Sequence, residues 1–140
     1  GMSADRFHTM VNTESGLLGV SEMSSDMRDL LKQEHNDPRA AKAVALFCYQ
    51  AKKAIGALAA VLGGVDTLVF SAGIGEHSPV VRARICEGLG FLGITIDERL
   101  NEINDAVIST GDGRVTVRVI HTDEERELAQ SVIPLLAKTR

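Results

Sequence analysis

Cysteine, tryptophan and clustered positive charge are all scarce in this sequence. Its 140 residues include two cysteines, no tryptophan, one tyrosine and four phenylalanines. Cys48 and Cys86 each fall within a helical pattern, so they read as buried thiols and exclude a disulfide framework. Lysine and arginine number 15 against 19 aspartates and glutamates, a formal charge of −4, which leaves no electrostatic grip for nucleic acid. Lys52 and Lys53 are the only adjacent lysines and are expected on a solvated helix face. No apolar run is expected to span a membrane, and no N-terminal segment has the pattern of a signal peptide, so a cytoplasmic location is expected. His8, His35 and His121 are too scattered for metal-ligand spacing, and no Ser/His/Asp or Cys/His set is recognisable. Repeats, low-complexity tracts and linkers are also missing. With 44% hydrophobic residues, residues 1–140 are expected to form a single domain. Gly1 ahead of Met2 reads as the scar of an expression tag.

What is present is alternating helix and strand signals. Asp37-Pro38 has an N-cap residue followed by proline at the first helical position. From there Val44, Phe47, Cys48, Ala51, Ile55, Leu58, Ala59 and Leu62 recur at three- and four-residue steps until Gly63-Gly64, predicting a long core helix. Thr67 to Ala72 is an apolar run without polar alternation, as expected of a strand buried on both faces. Ser78-Pro79 starts a second helix with Val81, Ile85, Cys86 and Leu89 inward, ending near Gly90. Gly73 to His77 would then be a strand-to-helix loop. Further on, Ile94 to Ile96 reads as a short extended piece and Asp97 as the cap of a helix carrying Leu100 and Ile103. Two β-rich runs around Gly111-Asp112-Gly113 suggest a hairpin or two neighbouring strands with Val115, Val117 and Val119 on a buried face. A terminal helix is expected from Thr122, bent or shortened at Pro134. Before Asn36 only a short helix at Met27 to Gln33 is predicted.

Three stretches could carry chemistry, and each has a plainer explanation. Gly73 and Gly75 could let backbone N–H groups approach a phosphate ahead of a helix N-terminus. Equally, they could supply positive φ in an ordinary turn, which spacing alone favours. In Thr122-Asp123-Glu124-Glu125, Thr122 and Glu125 have capping-box spacing. That leaves Asp123 and Glu124 as first-turn acids or as carboxylates for a hydrated Mg²⁺. Asp26, Met27 and Arg28 could embrace a base and ribose, or form a surface ion pair beside a buried methionine. His77 could contact a base or phosphate, or be simply exposed.

Taken in order, Glu14 to Leu30 (ESGLLGVSEMSSDMRDL), Leu68 to Asp97 (LVFSAGIGEHSPVVRARICEGLGFLGITID) and Val117 to Glu125 (VRVIHTDEE) resemble the C-terminal part of the acetate kinase family, which includes propionate kinases. The resemblance runs from about Glu14 to the last helix. It implies an α/β fold, a partial ribonuclease H-like domain of the sugar kinase, Hsp70 and actin superfamily, with helices packed on a small mixed sheet. It also implies ATP-dependent phosphorylation of a short carboxylate, acetate and ATP giving acetyl phosphate and ADP, with Mg²⁺. By position it implies that Asp26, Met27 and Arg28 surround the adenine and ribose and that Gly73, Ile74, Gly75, Glu76 and His77 form the nucleotide loop. Val81 would be an apolar wall for the base, and Glu124 the residue linked to Mg²⁺.

The sequence departs from the family pattern at His77, where asparagine is usual, at Glu22 for glycine and at His121 for proline. Family members are more than twice this long, and the carboxylate-binding and transition-state groups lie on the N-terminal half that this chain lacks. No catalytic residue is therefore assigned, and catalysis by the chain alone is not expected, because phosphoryl transfer depends on positioned charge. The alternative is a stand-alone nucleotide-binding or oligomerisation module without catalysis. A homodimer is expected, since strands lacking their usual neighbours would expose a sheet edge.

Overall fold

The computed structural model describes residues 1–123 together with 126, 128, 132 and 133. Most of the expected terminal helix, Pro134 included, lies outside the described residues.

Local chemistry sets the longest element. Helix α4 (Pro38–Leu62) begins where the Asp37 carboxylate accepts the Arg39 N–H at 2.8 Å, and it ends at Gly63, whose φ of 76° closes the last turn. These are the start and stop signals read from the sequence. Its inner face packs on α2 (Gly16–Ser21), α3 (Met27–Gln33) and α6 (Pro79–Cys86). Leu30, Ala40, Ala43, Val44, Cys48 and Ile85 share one buried cluster there. Burial of this kind stabilises by about 25 cal/mol per Å² of apolar surface.

Three expectations need correction. By length and composition α4 could cross a bilayer, with a mean hydropathy of 1.3 over an 18-residue window of which 17% is buried, although Arg39, Lys42, Lys52 and Lys53 interrupt the apolar run. One face of it, with Ala40, Ala43, Val44, Cys48 and Ala59, is buried in the core. The N-terminal stretch is also more helical than expected: α1 (Ala4–Thr9) is capped by Ser3 and followed by a π-helical turn, Met10–Glu14, before α2. Nothing in α1 is buried, so it leaves no apolar stripe to read. Finally, β1 (Thr67–Ser71) is not covered on both faces. Thr67, Val69 and Ser71 are exposed while Leu68 and Phe70 are half-buried.

β1 pairs in parallel with β2 (Thr116–Ile120), in a register running from Thr67 opposite Thr116 to Ser71 opposite Ile120. The parallel arrangement requires a crossover, which is supplied by α5 (Ala72–His77), α6 and α7 (Glu98–Glu102). Asp97 caps α7 by accepting the Leu100 N–H at 2.9 Å, as expected. The hairpin survives in reduced form: Val107 bridges Arg118 in antiparallel fashion along β2 without forming a full strand. Val115 and Val117 are buried with Cys86, Leu89, Ile94 and Ile108 in a second cluster, on which Val119 packs half-buried. Both cysteines are free and buried, and burial pushes the Cys86 thiol up to about 11.

Candidate functional site

At the end of β1 the chain enters α5 directly, so the expected loop at Gly73 to His77 is a short helix instead. Neither Gly73 nor Gly75 has positive φ; the left-handed residue is Ala72, at 57°. Gly75 packs closely on β1, since a Cβ there would lie 3.3 Å from the Phe70 carbonyl carbon, a tight contact. A Cβ on Gly73 would meet nothing within 4 Å, because this residue faces open space. The two glycines therefore do different things, and neither supplies the positive φ of a simple turn.

The carbonyl end of α5 is held by a residue that the sequence reading passed over. Arg82 is fully buried. Its Nη1 donates to Gly75 O at 2.8 Å and Glu76 O at 2.9 Å, its Nε to Asn101 Oδ1 at 2.8 Å, and its Nη2 to Asn101 O and Asn104 Oδ1, both at 2.7 Å. Burial lowers its pKa, yet guanidinium stays charged in proteins, and five neutral oxygens take the place of water. The signal was available: Arg82 stands three, four and seven residues before Ile85, Cys86 and Leu89, on their inward stripe.

Two of the quoted stretches meet at a cleft of about 840 Å³, whose walls include Asp26, Met27, Arg28, Gly73, Ile74 and His77. Asp26 caps α3, accepting the Arg28 N–H at 2.8 Å, and its Oδ2 also accepts Arg28 Nη2 at 2.6 Å. Chiefly through that side-chain bond, Arg28 holds the Asp26 carboxyl at about 2, below its ordinary 3.8. The Arg28 side chain itself remains 84% exposed. Met27 faces both the cleft and the core. The preceding turn is tied by the buried Ser21 hydroxyl, which accepts the N–H groups of Met23 and Ser24 at 3.1 and 3.2 Å. Glu22 takes a φ of 55° there, a conformation that glycine adopts without strain.

Gly73 and His77 also line an adjoining cavity of about 530 Å³ together with Glu76, His121, Thr122 and Asp123, so the third stretch reaches the same place. Glu76 does not face a ligand with free oxygens. Its Oε1 accepts the Thr122 N–H at 2.9 Å and the Thr122 hydroxyl at 2.8 Å, and its Oε2 pairs with His121 Nδ1. The Thr122 hydroxyl bond, then the Thr122 N–H, hold the Glu76 carboxyl at about 2 against an ordinary 4.5. The Asp123 carboxylate accepts the Arg126 N–H at 2.9 Å, and the capping box expected between Thr122 and Glu125 falls outside the described residues. Glu124 and Glu125 lie outside the described residues. Val81 is 1% exposed and belongs to the core cluster that includes Met27 and Ile85; it stands behind the cleft and does not line it.

Because both carboxylates are depressed, their contribution is full above about pH 4.5 and is lost as pH falls through about 2. Urea midpoints are expected to drop over that interval, with a shallower fall in Glu76→Gln. A profile equally steep in the variant would contradict the assignment.

Among the described residues no group of three or more His, Cys, Asp or Glu is placed to hold a metal. Mg²⁺ needs only one or two carboxylates plus water and phosphate oxygens, and the exposed Asp123 at the second cavity fits that hard-oxygen requirement.

Comparison with known proteins identifies the family to which this chain is similar. The acetokinase family model matches residues 1–130. Acetate kinase of Rhizobium meliloti is 47% identical over 137 residues, covering 98% of this chain and 34% of that protein. Acetate kinase of Coprothermobacter proteolyticus is 46% identical over 139 residues, covering 97% and 35%. Among solved structures, Porphyromonas gingivalis acetate kinase superposes with a TM-score of 0.86 at 38% identity, covering 97% of this chain and 35% of that one. A propionate kinase from Francisella tularensis gives 0.80 at 31% identity, covering 89% and 32%. The chain spans about a third of the length of the relatives it matches.

Proposed function

The chain belongs to the acetokinase family, and from that premise we propose that it supplies the adenosine, phosphate and Mg²⁺ contacts of an ATP-dependent carboxylate kinase. In the reaction a carboxylate oxygen attacks the γ-phosphorus of ATP, the bond to the β,γ-bridging oxygen breaks, and acetyl phosphate and ADP result when acetate is the acceptor. Mg²⁺ neutralises charge on the phosphates. The observation that carries the reading is the meeting of Asp26, Met27 and Arg28 with Gly73, Ile74 and His77 around one cleft. It is continuous through Gly73 and His77 with the cavity that holds Asp123.

Within that cleft the roles follow from chemistry. Met27 and Ile74 offer apolar walls to the adenine, while Arg28, exposed and already oriented by Asp26, can stack on the base or meet a phosphate. Gly73 leaves room for a phosphate to approach the backbone at the start of α5. His77 stands where both cavities meet and can donate to a phosphate oxygen. Gly75 and Val81 contribute through shape, by packing on β1 and behind Met27. Glu124 is assigned to the metal by its place in the sequence. The reading includes a cytoplasmic location, which the free, buried Cys48 and Cys86 support.

Calorimetric titration of the chain with Mg-ATP tests the proposal. Saturable binding is expected, weakened about tenfold or more by Glu124→Ala, as for loss of a metal-linked carboxylate. A folded chain that takes up no nucleotide would leave the second reading, a non-catalytic assembly module. That reading draws on the exposed Leu58, Val61 and Leu62 of α4 and on the outer edge of β1, which is unpaired among the described residues. Both readings include a homodimer, which sedimentation velocity on the same samples would detect; a monomeric mass at micromolar concentration would argue against it.

A further inference from the structure

Glu76 is committed to partners far along the chain. It is 5% exposed, its carboxylate receives the three donors from His121 and Thr122 described above, and those residues are 45 and 46 positions away. β2 ends at Ile120, so His121, Thr122 and Asp123 leave the sheet without ladder partners. The Thr122 N–H, the first backbone donor held beyond the strand, goes to Glu76.

The other side of Glu76 is equally fixed. Its carbonyl accepts Arg82 Nη1 at 2.9 Å, and Arg82 is bound in turn to Asn101 and Asn104. A continuous set of hydrogen bonds therefore runs from α7 through Arg82 and Glu76 to the segment that carries Asp123. Asp123 and Gly73 line the same cavity.

Resting on the nucleotide reading above, we propose that Glu76 is a positioning residue that clasps Thr122 and holds the acidic segment after β2 against the Gly73 turn. In this role it does not touch the nucleotide. It sets where the carboxylates of that segment stand relative to the phosphates, so its effect passes through the metal. Glutamate suits the task because one carboxylate oxygen takes both Thr122 donors while the other takes the imidazole. Glutamine would turn an N–H group toward one of these donors, and aspartate is a methylene too short to reach from α5.

The test compares wild type, Glu76→Gln, Thr122→Val and the double variant. Each is titrated with ATP in excess Mg²⁺ and with ATP in EDTA, and exchange of the residue-122 amide is followed by NMR without nucleotide. Glu76→Gln is expected to speed that exchange about tenfold as the clasp opens. It should weaken Mg-ATP binding about tenfold while leaving metal-free ATP within about twofold, as for a partner acting through a metal site. The double variant should lose no more than the worse single one, because both substitutions break the same link.

Unchanged amide exchange in Glu76→Gln would overturn the proposal. So would equal losses with and without Mg²⁺, which would make Glu76 a direct nucleotide contact, or additive losses in the double variant. If wild type binds ATP in neither condition, the nucleotide reading fails, and the exchange result alone decides whether Glu76 holds the segment. Thr122→Val alters an exposed residue and carries the comparison should Glu76→Gln not fold.

Discussion

Arg82→Met is expected to lower the unfolding free energy by about 3 kcal/mol, the scale on which removal of one partner from a buried charged network is felt. Methionine fills much of the arginine's volume, so the loss comes from polarity and not from a void. The carbonyls of Gly75 and Glu76, the Asn101 side chain and carbonyl, and the Asn104 side chain all accept from this one guanidinium. With methionine they would face an apolar chain. Each buried acceptor left without a partner costs about 1–3 kcal/mol before relaxation, and rearrangement at the exposed Asn104 recovers part of that.

The measurement is urea unfolding followed by circular dichroism, with a parallel thermal scan. A drop in midpoint temperature of about 10 °C corresponds to this loss in a domain of such size. Arg82→Lys separates charge from geometry. An ammonium keeps the charge but lacks the planar fork that spans α5 and the turn after α7, so it is expected to recover less than half of the loss. Full recovery by lysine would mean that charge alone matters. A loss below about 1 kcal/mol in Arg82→Met would mean that desolvating the guanidinium cancels what its hydrogen bonds contribute.

The same network shows what the sequence could and could not reveal. Asp37-Pro38, Gly63 and Asp97 act within three or four residues of themselves, and the structure has their helix ends where local chemistry puts them. Met27 to Gln33 is likewise a helix within the bounds that were read. Local chemistry also suggested that Gly73 and Gly75 turn the chain, yet the backbone instead strains Ala72 and continues as helix. That outcome depends on Phe70 packing against Gly75 and on Arg82 binding the carbonyl end, neither of which spacing alone displays.

Glu76 and Thr122 illustrate the same limit from the other side. Spacing offered Thr122 only a local role, whereas its hydroxyl also has a partner 46 residues away in the Glu76 carboxylate. Sequence spacing does not display long-range partners of this kind. Order and spacing of three stretches did identify the family, and of the residues they pointed to, Asp26, Met27, Arg28, Gly73, Ile74 and His77 line the cleft. Which of them face it, as Met27 and Gly73 do, and which stand behind it, as Val81 does, was decided only by the packing of α3 and α5 against α6.

Met27 is where core and cleft are the same side chain, and its replacement is expected to have two effects that can be measured apart. It is 3% exposed, packs in the cluster with Leu30, Val44, Val81 and Ile85, and also lines the larger cavity. Met27→Ala is expected to destabilise the fold by about 3 kcal/mol, within the range for removing a buried methionine side chain. Met27→Leu, which conserves volume, should cost less than about 1.5 kcal/mol. If Met27 is also a wall for adenine, Met27→Ala should weaken Mg-ATP binding in excess of any effect on folding, while leucine, equally apolar, should largely preserve it. Leu30→Ala supplies the comparison: Leu30 is fully buried in the same cluster and does not line the cleft, so a similar stability loss should leave affinity nearly unchanged. The titrations would be run at a temperature where both variants are folded by circular dichroism. Should Met27→Ala and Leu30→Ala weaken nucleotide binding to the same extent, Met27 would be a core residue only, and the adenine would have to rest on Ile74 and Arg28.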